Sequence, residues 1–462
     1  MSQQYSRWQD LQRQPGATRS SRVEEVRLRI HQDVIDKLGN KLTDEDTDPD
    51  ELQRLVQEQV HKALAEENVA LSASERTQLI RDVIDDALGY GPIHGFLQDP
   101  GITEVMVNGP KIVYIERRGK IERTDVEFVD EDHLRRTIDK IVSEVGRRID
   151  EASPMVDARL PDGSRVNAVI HPIAIGGPYL TIRRFSKEPY TAEDLINFGS
   201  LTPQVAHFLD ACVRGQLNTI ISGGTGTGKT TLLNVLSSFI PDLDRIVTIE
   251  DAKELRLSQE HVCSLEARPP NVEGVGEVKI RELVRNSLRM RPDRVIVGEA
   301  RGAEALDMLQ AMNTGHEGSL STVHANAPRD ALNRLETMVL MAGYELPLRA
   351  IRSHVSSALD LVIQLDRLDD GSRRVVEISE VQRMEGEVIT LQKLFEFKID
   401  HFDAERRIVG RLHPTGLRPG FLGKFERHGI ELPLSTFGDT ASAIYGANAA
   451  GLPEWVKAGD DR

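Results

Sequence analysis

Apolar residues divide the chain into a helical first part and a longer part in which short strands and helices follow one another. Between residues 21 and 39 they recur at helical spacing, at Val23, Val26, Ile30, Val34 and Leu38. A second helix is predicted at residues 51–66, and the capping box of Ser72 and Glu75 starts a third helix that reaches Leu88. Residues 21–89 are therefore predicted to be an N-terminal helical segment, serving either as a partner-binding appendage or as a cover for a neighbouring domain. Residues 1–20 are polar and are predicted to be disordered.

Residues 90–187 show short apolar runs separated by turn residues. Strands are predicted at residues 104–109, 112–115, 164–170 and 179–185, and one helix at residues 131–145. This composition of elements predicts a small α/β N-terminal domain.

Strand and helix patterns alternate from residue 188 onward. Such alternation is typical of a parallel sheet with helices on both faces, so the predicted fold class is α/β. We place this larger domain at residues 188–397. Residues 398–462 are predicted to be a C-terminal extension that is partly disordered, because residues 441–451 are rich in Gly and Ala.

A glycine-rich turn joins a predicted strand to a predicted helix inside the larger domain. It consists of Gly223, Gly224, Thr225, Gly226, Thr227, Gly228, Lys229, Thr230 and Thr231. Glycine, four residues and then Gly-Lys-Thr is the spacing of a phosphate-binding loop, whose backbone N–H groups turn inward on phosphates at a helix N-terminus. The strand before it and the helix after it favour this interpretation over an ordinary glycine-rich turn. We predict that the loop binds ATP, with Lys229 neutralising the β- and γ-phosphates and Thr230 ligating Mg²⁺.

Carboxylates follow two other predicted strands of the same domain. Glu299 ends an apolar run in the sequence Val-Gly-Glu, and Glu250 ends another, with Asp251 and Glu254 close behind. Ligands of parallel sheets collect at the carboxyl ends of the strands, so these carboxylates are candidates for orienting or deprotonating a water and for holding Mg²⁺. The alternative for Glu299 is a helix-capping role at the same strand end.

Two histidines flank the predicted strand at residues 320–323. His324 follows the strand and is expected at the same sheet edge as Lys229, where an imidazole could sense the γ-phosphate. His316 precedes the strand, and a lone histidine is more often structural than functional.

Composition limits the partners of the protein. The 462 residues include 73 acidic and 58 basic side chains, a net charge of −15 that disfavours a surface for tracking nucleic acid. The basic segment at residues 281–294 is interpreted as an amphipathic helix with a solvated face. Cys212 and Cys263 lack metal-type spacing and are expected to be reduced thiols of a cytosolic protein. No apolar window approaches the length of a membrane span, and no signal-peptide core is present, so membrane association is expected only through a partner.

The order of these motifs resembles the type II/type IV secretion ATPase superfamily. Four further segments, at residues 103–109, 156–167, 181–185 and 334–343, are similar to the CpaF family, the cytoplasmic motor of tight-adherence (Tad) pili. The resemblance covers about residues 75–397, most of the chain.

This resemblance implies a RecA-like P-loop ATPase domain preceded by a smaller α/β domain that completes the ATP site. It implies a homo-hexamer that hydrolyses ATP with Mg²⁺ and powers pilus assembly, with retraction as a further direction of work. The partners would be inner-membrane platform proteins, and the motor would lie peripherally at the cytoplasmic face of that membrane.

The family's site roles transfer to matching positions of this chain. Lys229 and Thr230 would bind phosphate and Mg²⁺, and Glu250 and Glu254 would form the acidic box. Glu299 would be the Walker B carboxylate, and His316 and His324 would form the histidine box. Gly298 stands where an aspartate is usual, which leaves open whether Glu299 or an acidic-box residue is the base.

Arginines of the preceding domain resemble the family's charge-completing residues. Arg165 and Arg183 are the candidates, and Arg184 should point to the opposite face of the strand from Arg183. Each could equally be a surface salt-bridge partner.

Three alternatives to a pilus motor remain. One is an ATPase of a type IV secretion or conjugation channel, another is a RecA-like nucleic-acid translocase, and the last is a nucleotide-switched scaffold without turnover. Stimulation by DNA with a steep salt dependence would favour the translocase.

Overall fold

The structure is a computed structural model that describes residues 26, 29–30, 33–34, 37–38, 49–66, 72–117, 119–184, 189–270 and 275–438. The disorder predicted for residues 1–20 and the loose end predicted at residues 441–451 lie outside these ranges. The chain forms two compact units, Met1–Ser186 and Lys187–Arg462, each described by itself below.

The first unit begins with a small helical cluster. Two helices span Pro49–Glu66 and Ala73–Ala87, and residues 26, 29–30, 33–34 and 37–38 are also helical. Their shared core is apolar and buried, and consists of Val26, Ile30, Val34, Val56, Val60, Ala63, Leu64, Leu79 and Val83. The predicted capping box is confirmed, since Ser72 N donates to Glu75 Oε2 at 2.8 Å and Glu75 N donates to Ser72 Oγ at 3.3 Å.

A six-stranded antiparallel sheet forms the rest of the first unit. Its strands are β1 (Ile102–Asn108), β2 (Val113–Arg117), β3 (Lys120–Arg123), β4 (Met155–Arg159), β5 (Arg165–Val169) and β6 (Tyr179–Arg183), in the order β3-β2-β1-β6-β5-β4. A short helix, His94–Gln98, precedes the sheet, and the helix Glu131–Glu144 is capped by Asp130, which accepts from His133 N. Leu134, Ile138 and Ile141 of that helix are buried in one core with the sheet. The predicted strands and helix of residues 90–187 are confirmed within one or two residues.

A nine-stranded sheet organises the second unit. The strands are β7 (Thr219–Gly223), β8 (Ile246–Glu250), β9 (Val262–Glu266), β10 (Arg294–Val297), β11 (Leu320–Val323), β12 (Leu361–Arg367), β13 (Arg373–Glu385), β14 (Val388–Phe402) and β15 (Ile408–Pro414). Their order is β15-β14-β13-β12-β7-β11-β10-β8-β9. The pairs from β12 to β9 are parallel, as predicted.

Helices cover both faces of this sheet. They span Ala192–Asn197, Pro203–Arg214, Lys229–Ser237, Ile280–Ser287, Glu304–Asn313, Pro328–Met341, Leu348–Ala358 and Leu422–Arg427. Successive residues of β7 enter different cores, since Ile221 packs with Leu232 on one face and Ile220 packs with Leu309 on the other. A strand buried on both faces needs a continuous apolar run, which explains why β7, β8 and β10 are so clear in the sequence.

The carboxyl-terminal strands depart from the prediction. Strands β13, β14 and β15 are antiparallel additions to the sheet, and the predicted domain boundary at residue 397 lies inside β14. The predicted extension also contributes to the core, because Phe421, Phe425 and Phe437 are buried with Phe208. These aromatic contacts join residues about two hundred positions apart, which the local pattern does not reveal. Within the part of the chain that the structure describes, no helix has both the length and the apolar character needed to cross a bilayer.

Candidate nucleotide-binding site

The glycine-rich turn connects β7 to the helix Lys229–Ser237, as predicted. Gly226 and Gly228 have φ angles of 71° and 95°, a region that favours glycine. A Cβ on Gly223 would lie 2.5 Å from Thr227 Oγ1 and 2.9 Å from Leu365 O, so this position has no room for a side chain. The turn therefore presents backbone and the N-terminus of a nine-residue helix, the arrangement that binds phosphate.

Lys229 lies folded over this turn. Its Nζ donates to Gly224 O at 2.7 Å, and Thr227 Oγ1 donates to the same carbonyl at 2.9 Å. Burial lowers the pKa of the Lys229 ammonium, while the nearby Glu299 opposes that shift. A partly desolvated ammonium that donates to one carbonyl would be stabilised by charge-assisted hydrogen bonds to a phosphate, so the residue fits the role predicted for it.

Glu250 is a buried carboxylate at the end of β8, with 3% of its surface exposed. Its Oε1 accepts from Glu254 N at 2.8 Å and from Leu255 N at 2.9 Å. Its Oε2 is buried and finds no hydrogen-bond partner among the described residues. Burial is the main cause that raises the pKa of Glu250. One oxygen is thus fixed, and the other has its hydrogen-bonding capacity left for a water or a ligand.

Glu299 lies at the end of β10 and is half-buried. Its Oε2 accepts from Arg301 Nη2 at 2.8 Å, and Arg301 Nη1 also donates to Asp251 Oδ2 at 3.3 Å. The hydrogen bond to Glu299 is the main cause that raises the pKa of Arg301. Arg301 therefore links the strand ends of β8 and β10 at the edge of the sheet where the phosphate loop lies.

The acidic residues do not form a preassembled metal cage. Within the described ranges, no group of three or more His, Cys, Asp or Glu side chains is arranged to hold a metal ion. Mg²⁺ keeps several waters and takes one or two protein oxygens together with substrate phosphates, so such a cage is not required. The free Oε2 of Glu250 and the hydroxyl of Thr230, one residue after Lys229, are oxygen donors that suit Mg²⁺. The assignment of Glu254 and Glu299 as further metal contacts stays a prediction.

The two predicted histidines lie at opposite ends of β11. His324 follows the carboxyl end of the strand, the same edge as Lys229 and Glu299. His316 precedes the strand, at the edge away from the phosphate loop, and its carbonyl accepts from Ser319 Oγ at 2.8 Å. The structure therefore brings His324, but not His316, to the edge that carries the phosphate loop. Local spacing placed them in one motif, but four intervening strand residues separate them in space.

Arg165 and Arg183 belong to the first unit. They are direct cross-strand partners on β5 and β6, so their side chains share one face of the sheet. Arg183 Nε lies 3.7 Å from Glu104 Oε2, whereas Arg184 Nη1 donates to Ile102 O at 2.9 Å and to Asp99 O. Arg184 is thus used to hold backbone, and the pairing of Arg165 with Arg183 makes the two a joint candidate for an anion. Their approach to the phosphate loop stays a prediction.

Arg373 contacts the phosphate loop and was missed by the sequence analysis. It begins β13, and its Nε donates to Gly226 O at 2.8 Å. Its side-chain Cδ would lie 3.8 Å from a Cβ on Gly228. The residue follows the loop by about 150 positions and carries no motif, so only the pairing of β13 with β12 beside β7 could reveal it.

We expect Arg373→Ala to raise the KM for ATP about three- to tenfold with a smaller change in kcat, because one hydrogen bond that shapes the loop contributes about 1 kcal/mol. The matched control is Arg383→Ala, an exposed arginine of the same strand, which should leave KM unchanged. Steady-state ATP hydrolysis on both variants checks this. Equal KM values for the two variants would contradict a role of Arg373 at the loop.

Arg294 corrects the interpretation of the basic segment. The helix is shorter than predicted, Ile280–Ser287, and Arg294 belongs to β10 with only 1% of its surface exposed. Its Nε donates to Asp244 Oδ2 at 2.8 Å and its Nη1 donates to Val213 O at 3.0 Å. The guanidinium is a buried structural link and does not belong to a solvated basic face.

The chain is similar to proteins of secretion and conjugation systems. The family described as "Type II/IV secretion system protein" matches residues 86–399. A putative conjugal transfer protein of Mycobacterium tuberculosis is 37% identical over 315 residues, which are 67% of this chain and 89% of that protein. The type IV secretion system protein PtlH of Bordetella pertussis is 34% identical over 62% of this chain and 92% of its own length. Among solved structures, the VirB11 ATPase of the Brucella suis type IV secretion system is 31% identical, with a TM-score of 0.35 over 62% of this chain and 94% of that one.

The predicted α/β fold class is confirmed by the structure itself, since the second unit has a run of parallel strands covered by helices and its phosphate loop follows the central strand β7. The family match spans both units and includes the phosphate loop, Glu250, Glu299 and both histidines. The chain belongs to the Type II/IV secretion system protein family.

Proposed function

We propose that the protein is a motor ATPase that couples hydrolysis of ATP to movement of a membrane-embedded secretion or pilus machine. The observation that carries this proposal is the convergence of three groups at one edge of the nine-stranded sheet. These are the phosphate loop with Lys229, the half-buried Glu299, and Glu250 with one unsatisfied oxygen. Phosphoryl transfer depends on positioning and on charge stabilisation, which these groups can supply.

Each group has a defined task in this proposal. The amides of the glycine-rich turn and the first turn of the helix Lys229–Ser237 bind the phosphates. Lys229 leaves Gly224 O and donates to the β- and γ-phosphates. When bound, Mg²⁺ supplies neutralisation of phosphate charge, and Thr230 together with an acidic side chain would hold it.

Glu250 is the proposed acceptor of the proton from the attacking water. Its Oε1 is held by two backbone amides, and its buried Oε2 has no hydrogen-bond partner among the described residues, so Oε2 is the oxygen that would accept the proton. The raised pKa makes it a stronger base than an exposed carboxylate. Glu299, paired with Arg301, would orient water and metal, and His324 would sense the γ-phosphate from the neighbouring strand end.

Arg165 and Arg183 would complete the charge around the nucleotide, as the resemblance to the secretion ATPases implies. They lie on one face of adjacent strands, so both guanidinium groups could bind one anion. A ring of six copies is the proposed assembly.

The machine that we propose for this motor is the Tad pilus, with the protein in the role of CpaF. The support is the set of sequence segments that resemble that family, whereas the family match across residues 86–399 is compatible with this machine and with the next candidate alike. The partners would be platform proteins of the inner membrane, and the motor would work at its cytoplasmic face.

A type IV secretion or conjugation channel is the second candidate machine. The relatives favour it, since they include a putative conjugal transfer protein and a type IV secretion system protein. Co-purification from membranes of cells expressing either a Tad platform protein or a conjugation channel component would separate the two candidates. Retention by the platform protein alone supports the pilus assignment, and retention by the channel component alone overturns it.

The proposed activity predicts that Glu299→Gln loses most ATP turnover, on the order of a hundredfold, because a neutral amide cannot replace the charge that orients metal and water. The measurement is steady-state hydrolysis against protein concentration, with the mass of the assembly recorded on the same samples. Wild-type specific activity should rise as the mass approaches that of a hexamer.

Glu385→Gln, an exposed glutamate at the end of β13, is the control and should behave as wild type. Wild-type protein that shows no hydrolysis at any concentration would overturn the motor proposal and favour a nucleotide-switched scaffold.

A further inference from the structure

Gly298 lies between β10 and Glu299, and its φ angle is outside the left-handed region that favours glycine. Its φ angle is not positive, unlike those of Gly226 and Gly228 in the phosphate loop. Its N–H donates to Ile249 O at 2.8 Å, which continues the pairing of β10 with β8 by one residue. Its φ angle therefore gives no reason for a glycine at this position, and the neighbouring side chains have to be considered.

The neighbour is Glu250. A Cβ built on Gly298 would lie 3.0 Å from Glu250 Cγ, 3.6 Å from its Cβ and 3.7 Å from its Cα. These are the three nearest atoms, and all belong to the same residue. The Glu250 side chain therefore passes directly across Gly298, through the space where residue 298 would carry a side chain.

Neither side of this contact is free to move away. Glu250 is fixed at its carboxylate by the amides of Glu254 and Leu255. Gly298 is fixed at its carbonyl, which accepts from Thr322 Oγ1 at 2.7 Å. The chain just after it is also held against β11, because Ala300 N donates to Thr322 O at 2.9 Å. A methyl group at position 298 must then displace the stem of Glu250 by a few tenths of an ångström, and with it the unsatisfied Oε2.

We propose that Gly298 is a positioning residue for Glu250. Because Gly298 has no side chain, the Glu250 side chain can pass close to it and place its carboxylate in the site. Gly298 itself touches neither nucleotide nor water in this proposal. It acts by setting where the Glu250 side chain lies. The two positions are therefore sterically coupled, and a larger residue at position 298 is compatible only with a smaller residue at position 250. The inference rests on the proposed role of Glu250 in ATP hydrolysis, whereas the steric coupling of the two residues does not.

The test is a double-variant cycle on the full chain, read by kinetics and by thermal unfolding. Gly298→Ala should lower kcat on the order of tenfold or more, because a small misplacement of a reacting group is costly, and should leave the KM for ATP within about twofold. Gly302→Ala is the matched control in the same loop. Its Cβ would meet only Glu304 Oε2, at an ordinary 3.5 Å, so both kcat and KM should stay at wild-type values.

The second arm of the cycle uses Glu250→Ala, which removes the obstructing atom. In that background Gly298→Ala should change neither the residual kcat nor the Tm, although it lowers the Tm of the wild-type chain. A Gly298→Ala protein with wild-type kcat, or with an equal Tm decrease in both backgrounds, overturns the proposal. If the wild-type chain hydrolyses no ATP, the proposed function fails, and the Tm cycle still decides whether the two residues are coupled. If Gly298→Ala alone does not fold, recovery of folding in the Glu250→Ala background supports the coupling, and continued failure overturns it.

Discussion

Lys229→Ala should abolish measurable ATP turnover, with a loss of at least about a hundredfold, because the variant removes the one side chain of the phosphate loop that carries positive charge. The ammonium is half-buried and its pKa is lowered by burial. Part of the free-energy cost of desolvating the ammonium is therefore included in the folded state before a nucleotide binds. In the described structure it donates to Gly224 O, a carbonyl of the phosphate loop itself. Nucleotide affinity should fall together with turnover, since the lysine contacts phosphates in the ground state as well.

The measurement is ATP hydrolysis and nucleotide binding on the same purified samples. Lys398→Ala, which removes an exposed lysine of β14, serves as the control for a general effect of charge. The folded structure of the Lys229→Ala variant should be retained, because alanine at this position removes only one hydrogen bond to a loop carbonyl. Turnover that survives in this variant would show that the loop is not the site of hydrolysis.

Asp244→Ala should strongly destabilise the fold, although Asp244 itself is partly exposed. Arg294 is 1% exposed, and Asp244 is the carboxylate that its Nε contacts at 2.8 Å. Burial lowers the pKa of Arg294, and the hydrogen bond that Arg294 donates to Asp244 opposes that shift. Removal of the carboxylate leaves a guanidinium buried among backbone carbonyls. We expect the free energy of unfolding to decrease by about 3 kcal/mol, at the lower end for broken buried pairs because the Asp244 side chain is 21% exposed.

Denaturant unfolding of the variant and of Asp242→Ala checks this prediction. Asp242 is an exposed carboxylate two residues away, and its removal should change the unfolding midpoint little. Arg294→Met should cost less than Asp244→Ala, because it removes the buried charge instead of stranding it. Equal effects of Asp242→Ala and Asp244→Ala would contradict the structural role assigned to Arg294.

The sequence by itself determined where in the fold those parts of the candidate site lie that are within a few residues of a strand end. The phosphate loop was predicted from its glycine and lysine spacing, and Glu250, Glu299 and His324 from their positions directly after apolar runs. Parallel strands that are buried on both faces leave continuous apolar runs, and their carboxyl ends share one edge. Residue position along such a strand therefore predicts position in space.

The tertiary structure alone decided how distant segments meet at that edge. Arg373 reaches Gly226 because β13 pairs with β12, and Gly298 is limited by Glu250 because β8 lies beside β10. It also decided that Arg294 is buried, that His316 lies at the opposite end of β11 from His324, and that β14 and β15 extend the sheet past residue 397. Strand order and burial depend on contacts between residues far apart in the chain, and periodicity carries information only about the local element and its apolar face.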